Sequence, residues 1–194
     1  MLWQLPFFLL PSFTTISTWE LTSPVVTNWG TWRGWDYCPK GTAAAAIQVK
    51  AEDEQGKGDD TGVNAVALYC QPLYWKTQIK GPRIMSGEGP WGDWGNIKWC
   101  PPGQFLIGFQ LRSERKQHEG DDAATSNFAG YCGPRGGGRD KDNWVAGDTM
   151  PWGDWTQIQW CPEGRVICAI QTQIEEKQGD GDDTAMNNVN VKCC

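Results

Sequence analysis

Histidine is nearly missing from this chain. His118 is the single one in 194 residues, and no serine or cysteine shares a setting with it that would make a nucleophile and base pair. A Ser-His-Asp or Cys-His mechanism needs an imidazole to take the nucleophile's proton, so that chemistry is excluded and His118 reads as a solvated loop residue. Basic side chains are also short: 17 Lys and Arg face 23 Asp and Glu, for a formal net charge of -6. Phosphate backbones and anionic bilayers attract proteins with a positive field, so nucleic acid and membrane are excluded as partners. A cationic extracellular protein, lysozyme-like in charge, or a glycan remains. Long apolar runs are lacking too. The longest, Leu2 to Leu10, is too short to span a bilayer, and no other stretch approaches the roughly twenty residues required. No Cys-x-x-Cys pair occurs, which removes the spacing that zinc and redox sites use, and neither a metal nor another cofactor is expected. There is no Asn-x-Ser/Thr acceptor, hence no N-glycan, and beyond the first twenty residues no segment sustains a helical period.

What is present in excess is 13 Trp, 24 Gly and 8 Cys. An even number of cysteines without metal spacing reads as disulfides, which persist in an oxidising compartment. The apolar run near the start supplies the route, so residues 1–19 read as a signal peptide and 20–194 as one secreted domain. The domain is a threefold array. Trp29–Cys70, Trp91–Cys132 and Trp152–Cys193 align without a gap, each 42 residues long, opening WGTWRGWDYCPKG, WGDWGNIKWCPPG and WGDWTQIQWCPEG. Each unit later carries a Gly-Asp-Asp triplet, at 58–60, 120–122 and 181–183. After Cys-Pro-x-Gly the apolar residues alternate: Ile47, Val49 and Ala51 oppose Gln48, Lys50 and Glu52. Ile107, Phe109 and Leu111 do the same in the second unit, and Cys168, Ile170, Thr172 and Ile174 in the third. That period belongs to half-buried strands. One 42-residue unit cannot bury enough surface alone, so the three must share a core. The expectation is an all-β, three-sided prism with one sheet per unit.

The repeat also narrows the 105 pairings open to eight cysteines. Cys38 and Cys70, Cys100 and Cys132, and Cys161 and Cys193 occupy the same two positions in their units, which leaves Cys168 for Cys194. Pairing Cys161 with Cys194 and Cys168 with Cys193 is the alternative, because the last two cysteines are adjacent.

The Trp-Gly-x-Trp openings, the Gly-Asp-Asp triplets and the ending GDDTAMNNVNVKCC resemble the vitelline membrane outer layer protein I family, from about Leu21 onward. The resemblance implies a pseudo-threefold β-prism and a structural or protective role in an egg coat, mucus or epithelial secretion. It also implies, as an alternative, a lysozyme-like transglycosylation on N-acetylglucosamine oligomers, for which the family offers no established catalytic residues. The small run Ala43–Ala46 and the connector Gly136–Gly138 depart from the pattern.

Three sets of side chains are candidates for chemistry. The adjacent carboxylates Asp59 and Asp60, Asp121 and Asp122, and Asp182 and Asp183 offer ligand contacts, although Gly-Asp-Asp-Thr is also good turn chemistry. Calcium needs six to eight oxygens, more than each short loop provides. Glu52, Glu114 and Glu175 are equivalent outward-facing residues and the acid/base candidates for glycoside chemistry; nearby lysines and arginines explain them equally as surface charge pairs. The tryptophans of the Trp-Gly-x-Trp openings read as core or inter-sheet wedges. Trp75 and Trp144, in the connectors, read as exposed aromatics able to stack on a sugar.

Overall fold

The structure is a computed structural model and describes residues 18–52, 61–115, 124–177 and 184–194. Residues 1–17 of the segment read as a signal peptide, His118 and all three Gly-Asp-Asp triplets, with Asp59, Asp60, Asp121, Asp122, Asp182 and Asp183, lie outside the described residues. The described residues form fifteen strands and no helix. They are β1 (Trp19–Thr22), β2 (Thr31–Trp32), β3 (Asp36–Tyr37), β4 (Thr42–Ala51), β5 (Val63–Pro72), β6 (Arg83–Ile84), β7 (Asp93–Trp94) and β8 (Lys98–Trp99). Then follow β9 (Phe105–Ser113), β10 (Thr125–Gly133), β11 (Trp144–Ala146), β12 (Asp154–Trp155), β13 (Gln159–Trp160), β14 (Ile167–Ile174) and β15 (Met186–Cys193).

Each unit contributes one long antiparallel hairpin, β4–β5, β9–β10 or β14–β15, whose alternating residues set the register. Ile47 stands opposite Leu68 and Val49 opposite Val66; Leu111 opposite Phe128 repeats this in the second hairpin and Ile170 opposite Val191 in the third, with Phe109 and Val189 on the same inner faces. These side chains meet in one apolar core, where Phe109 stacks on Phe128 with ring centroids 5.8 Å apart. Burying each such ring or branched side chain contributes about 1.5–3 kcal/mol.

The expectation of one sheet per unit is corrected by the topology. The sheets run β6-β5-β4-β7, β11-β10-β9-β12 and β1-β15-β14-β2, with β8, β13 and β3 also pairing β4, β9 and β14. Every sheet therefore takes its hairpin from one unit and the short strands on one edge from the opening of the next, the third hairpin closing the circle with β2 and β3 of the first; the other edge is β6 or β11 of the connector that follows the hairpin, or β1 ahead of the first unit. The Trp-Gly-x-Trp motif makes this exchange possible. Gly30, Gly92 and Gly153 hold φ of 81°, 73° and 70°, and a Cβ on Gly92 would stand 2.1 Å from the Ala51 carbonyl oxygen. Only glycine allows both the backbone conformation and the approach.

The bridges follow from the same exchange. Cys38–Cys70, Cys100–Cys132 and Cys161–Cys193 form as the repeat predicts, with Cα separations of 5.7, 5.5 and 5.8 Å. The backbone amides of Cys38, Cys100 and Cys161 donate to Cys168, Ala45 and Ile107 of the preceding unit's hairpin, whereas their partners stand at the ends of their own unit's hairpin. Each bridge thus sews two different sheets together, and the three make a ring. Cys168–Cys194 is the fourth bridge and the alternative pairing is not formed.

Strict alternation fails at two places in every hairpin. Ala45, Ile107 and Cys168 are bulged residues between paired neighbours, which re-aims Ala45 and Ile107 from the main core to a smaller cluster at the Cys-Pro-x-Gly end and turns Cys168 to its bridge with Cys194. Asn64, Ser126 and Asn187 are bulged on the partner strands at the opposite end. The tryptophan expectation is corrected in part, for Trp75 and for the repeat tryptophans as core filling. Of the described tryptophans only Trp75 is buried; Trp29, Trp91, Trp152, Trp94 and Trp155 are half-buried and Trp32 is exposed, because large apolar residues of the hairpins already fill the interior.

Candidate functional site

Glu52 and Glu175 do not face solvent. Each is 9% exposed and closes a buried latch where its hairpin turns toward the Gly-Asp-Asp segment. The Thr61 hydroxyl donates to the Glu52 carboxylate at 2.9 Å, the Asn64 amide donates to the Thr61 hydroxyl at 2.6 Å, and the Asn64 side-chain oxygen accepts from the Trp91 amide at 3.2 Å. The third unit repeats the chain: Thr184 to Glu175 at 2.6 Å, Asn187 to Thr184 at 2.8 Å, and Trp29 to Asn187 at 3.2 Å. A buried carboxylate that accepts hydroxyl and amide hydrogens is a structural acceptor. The bulge at Asn64 and Asn187 exists to aim that side chain at the next unit's opening. Lys50, also expected outward, is buried and donates to Glu88 at 2.8 Å and to the Gly89 carbonyl at 3.0 Å.

The second unit breaks this symmetry. Its sequence has Ala123 where the latch threonine stands and Ser126 in place of the asparagine, and the Ser126 hydroxyl donates instead to the Trp152 carbonyl at 2.5 Å. Glu114 is half-exposed and lines a cleft of about 420 Å3 together with Arg115, Asp154, Trp155 and Thr156. Of the three glutamates, Glu114 is the one the fold turns toward an open cleft with a second carboxyl group and an aromatic ring.

Trp155 connects that cleft to the outer face of the second sheet. Trp144, 43% exposed, meets Trp155 edge-on with centroids 5.5 Å apart and stacks on its cross-strand partner Tyr131 at 6.3 Å. Tyr131 in turn meets Trp160 at 5.0 Å. Trp160 lies over Gly108, where a Cβ would come within 2.7 Å of the indole, so a glycine in the strand beneath makes room for the ring. The guanidinium groups of Arg112 and Arg139 approach the rings of Trp155 and Trp160 at 6.0 and 5.7 Å, within cation–π range. Burial beneath this row raises the Tyr131 pKa above the ordinary 10.0, opposed by a hydrogen bond with Gln110, and keeps the phenol neutral. Trp144 therefore stands where the sequence placed it. Trp75 does not: the turn in which its amide donates to the Pro72 carbonyl at 3.0 Å folds it back against Trp99 and Phe105, and it is 6% exposed. Sequence reasoning missed Tyr131, Trp155 and Trp160 as members of the row; the signal available was the glycine at Gly108 in an otherwise bulky strand.

Asp148 lies beside this face, in the connector after β11. Its carboxylate pairs with Lys98 of the neighbouring sheet at 2.7 Å and accepts from Asn96 at 3.3 Å. The Lys98 hydrogen bond, chiefly, holds its pKa below the ordinary 3.8. Among the described residues no group of three or more His, Cys, Asp or Glu is placed to hold a metal, and no helix is long and apolar enough to cross a membrane.

Three exchanged sheets, a ring of inter-sheet bridges and one outer face lined with aromatics define a disulfide-stapled β-prism protein. The profile of the family described as vitelline membrane outer layer protein I matches residues 19–194, and the chain belongs to that family. It is 37% identical over 176 residues to the vitelline membrane outer layer protein 1 homolog of Mus musculus, covering 87% of this chain and 81% of that one. The Homo sapiens homolog is 34% identical over 170 residues, covering 86% and 78%. Among solved structures the chain shares its fold with single-chain recombinant jacalin, at TM-score 0.54, 5% identity and coverage of 94% and 97%. Calystegia sepium agglutinin gives 0.53, 10%, and 90% and 96%. A mannose-binding jacalin-related lectin from Ananas comosus gives 0.50, 10%, and 90% and 96%. The four bridges and relatives of this name fit an extracellular location.

Proposed function

We propose that the protein is a secreted, carbohydrate-binding structural component of an extracellular coat, mucus or fluid. The observation that carries this reading is the set of rings of Trp160, Trp144 and Trp155 packed over the buried Tyr131 on one outer face, ending in the cleft of Glu114 and Asp154. Aromatic faces pack against the C–H faces of sugar rings, and carboxylates at the end of such a row accept from sugar hydroxyls. That a mannose-binding lectin shares the fold adds support at the level of architecture. The net charge of -6 suits a cationic protein, lysozyme-like in charge, as a neighbour in the same coat. The test is calorimetric titration of the disulfide-intact protein with N-acetylglucosamine and mannose oligomers. Saturable binding that Trp144→Ala weakens supports the reading; absence of binding to both removes it.

A second reading is a lysozyme-like transglycosylation, supported by two carboxyl-bearing residues, Glu114 and Asp154, lining one cleft. Incubation with N-acetylglucosamine oligomers and mass spectrometry of the products tests it. Longer and shorter oligomers that disappear in Glu114→Gln support an enzyme; unchanged oligomers leave binding alone.

A further inference from the structure

The end of the prism that carries the three Cys-Pro-x-Gly turns has one corner between each pair of neighbouring units, and the repeat makes these corners comparable position by position. Between the first and second units the corner is filled: Phe105 packs edge-on against Trp75 with centroids 6.4 Å apart, and both are buried. Between the second and third units the corner is open, about 440 Å3, and its turn carries Glu163. Between the third and first units the corner is open and apolar. Ala43 stands where the filled corner has Phe105, and a cavity of about 380 Å3 is walled by Tyr37, Leu73, Val166 and the Cys168–Cys194 bridge.

The charge of this third corner runs against that of the whole molecule. Lys40 occupies the position that Glu163 holds in the second corner, and Arg135 reaches the same cavity from the connector of the second unit. No acidic side chain lines it, the terminal carboxyl group of Cys194 is the one negative group among the lining residues against the two cations, and neither cation forms an ion pair with a described acid. Arg135 is held in place by donating from Nε to the Gly164 carbonyl at 3.2 Å. The Lys192 ammonium adds a third cation nearby, donating to the Tyr37 hydroxyl at 2.7 Å. An apolar wall with a cationic rim recognises a ligand that has an apolar body and an anionic head. The filled corner shows what the space accepts: an aromatic and apolar load the size of a phenyl and an indole, here supplied by the chain itself.

We propose that the corner formed by Ala43, Leu73, Val166 and the Cys168–Cys194 bridge, rimmed by Lys40 and Arg135, is a binding site for an anionic amphiphile of the medium-chain fatty carboxylate class. The site lies at the Cys-Pro-x-Gly end, apart from the cleft of Glu114, and does not depend on carbohydrate binding.

The experiment is calorimetric titration of the disulfide-intact protein with decanoate below its micellar concentration, with 1-decanol as the uncharged control. One saturable site is expected. Ala43→Phe, which installs the second unit's own filling, should lower decanoate affinity by tenfold or more. Lys40→Glu/Arg135→Glu changes two exposed residues and so keeps the fold; it should weaken decanoate roughly fivefold or more while leaving decanol unchanged. No saturable decanoate binding overturns the proposal. So does a charge-reversed variant that binds decanoate as well as the unsubstituted protein, and this second arm decides the matter even where Ala43→Phe does not fold.

Discussion

Trp144 and Trp155 touch ring to ring although their strands lie at opposite margins of one sheet: β11 and β12 are separated by β10 and β9, yet the indoles meet at 90° with centroids 5.5 Å apart. The two side chains lean inward over the outer face and roof it. The contact turns separate half-exposed rings into a continuous surface leading to Glu114. Replacing Trp144 by Ala should reduce affinity for a bound oligosaccharide by about tenfold, since a central aromatic anchor carries on the order of 1.4 kcal/mol or more. Unfolding in urea should change little, because Trp144 is 43% exposed. Equal titration curves for the two proteins would detach the row from ligand binding.

The latches give the glutamates different weights. Glu175→Ala leaves the buried Thr184 hydroxyl without its acceptor and should destabilise the fold by about 1–3 kcal/mol, with a similar loss for Glu52→Ala. Glu114→Ala, at a half-exposed residue lining an open cleft, should cost less than about 1 kcal/mol. Urea midpoints of the three variants check the order; a Glu114 variant that is the least stable of the set contradicts it.

Each bridge of the ring closes a separation of 32 residues and should contribute about 3–4 kcal/mol through the unfolded chain. Cys100→Ala/Cys132→Ala is therefore expected to lose that amount in equilibrium unfolding. A loss below about 1 kcal/mol would mean that the sheets hold together without their bridges.

Acid should act through Asp148. Its folded pKa is depressed below 3.8 by Lys98, so the contribution of this pair to stability is present above that value and disappears as pH falls through the lower, folded one. The group is well exposed, so the effect is small. Wild type and Asp148→Asn should differ at pH 6 and converge in strong acid, which thermal unfolding across that range measures. A difference that grows toward low pH has the wrong sign.

Association with a cationic protein should weaken as salt rises, because a net charge of -6 acts through a field that 0.15 M salt confines to about 8 Å. Titration with lysozyme at low and high ionic strength tests this, and an affinity indifferent to salt counts against an electrostatic partner.

Much of this architecture was legible in the repeat. Equivalent positions of Cys38 and Cys70 across three units dictated equivalent bridges, and alternation around Ile47 or Phe109 dictated strands with an inner face. What the repeat hid was the boundary between sheets, since the unit of sequence is not the unit of pairing: Trp94 follows the connector in the chain but pairs with Lys50 of the preceding unit. Bulges at Ala45, Ile107 and Cys168 are equally silent, because a one-residue insertion in a strand leaves no mark on composition. Trp75 was misread because a connector suggests exposure. The small side chains Ala43 and Ala45 were the clue that something bulky from elsewhere had to pack against their strand. At the candidate site, equivalence argued for three like glutamates, and it took the loss of the threonine and asparagine beside Glu114 to separate them.

The exchange of strands between neighbouring units also dictates an order of events during folding. β1, β2 and β3 have no partners until β14 and β15 exist: Trp19 pairs with Cys193, and Arg33 reaches Glu176 across a separation of 143 residues. The first part of the domain must wait, unpaired, for the last part to be synthesised. Contacts of such long range make folding slow, on a scale of milliseconds to seconds for β-rich domains, so closure of the prism is a late step and the waiting strands stay exposed to aggregation until it occurs.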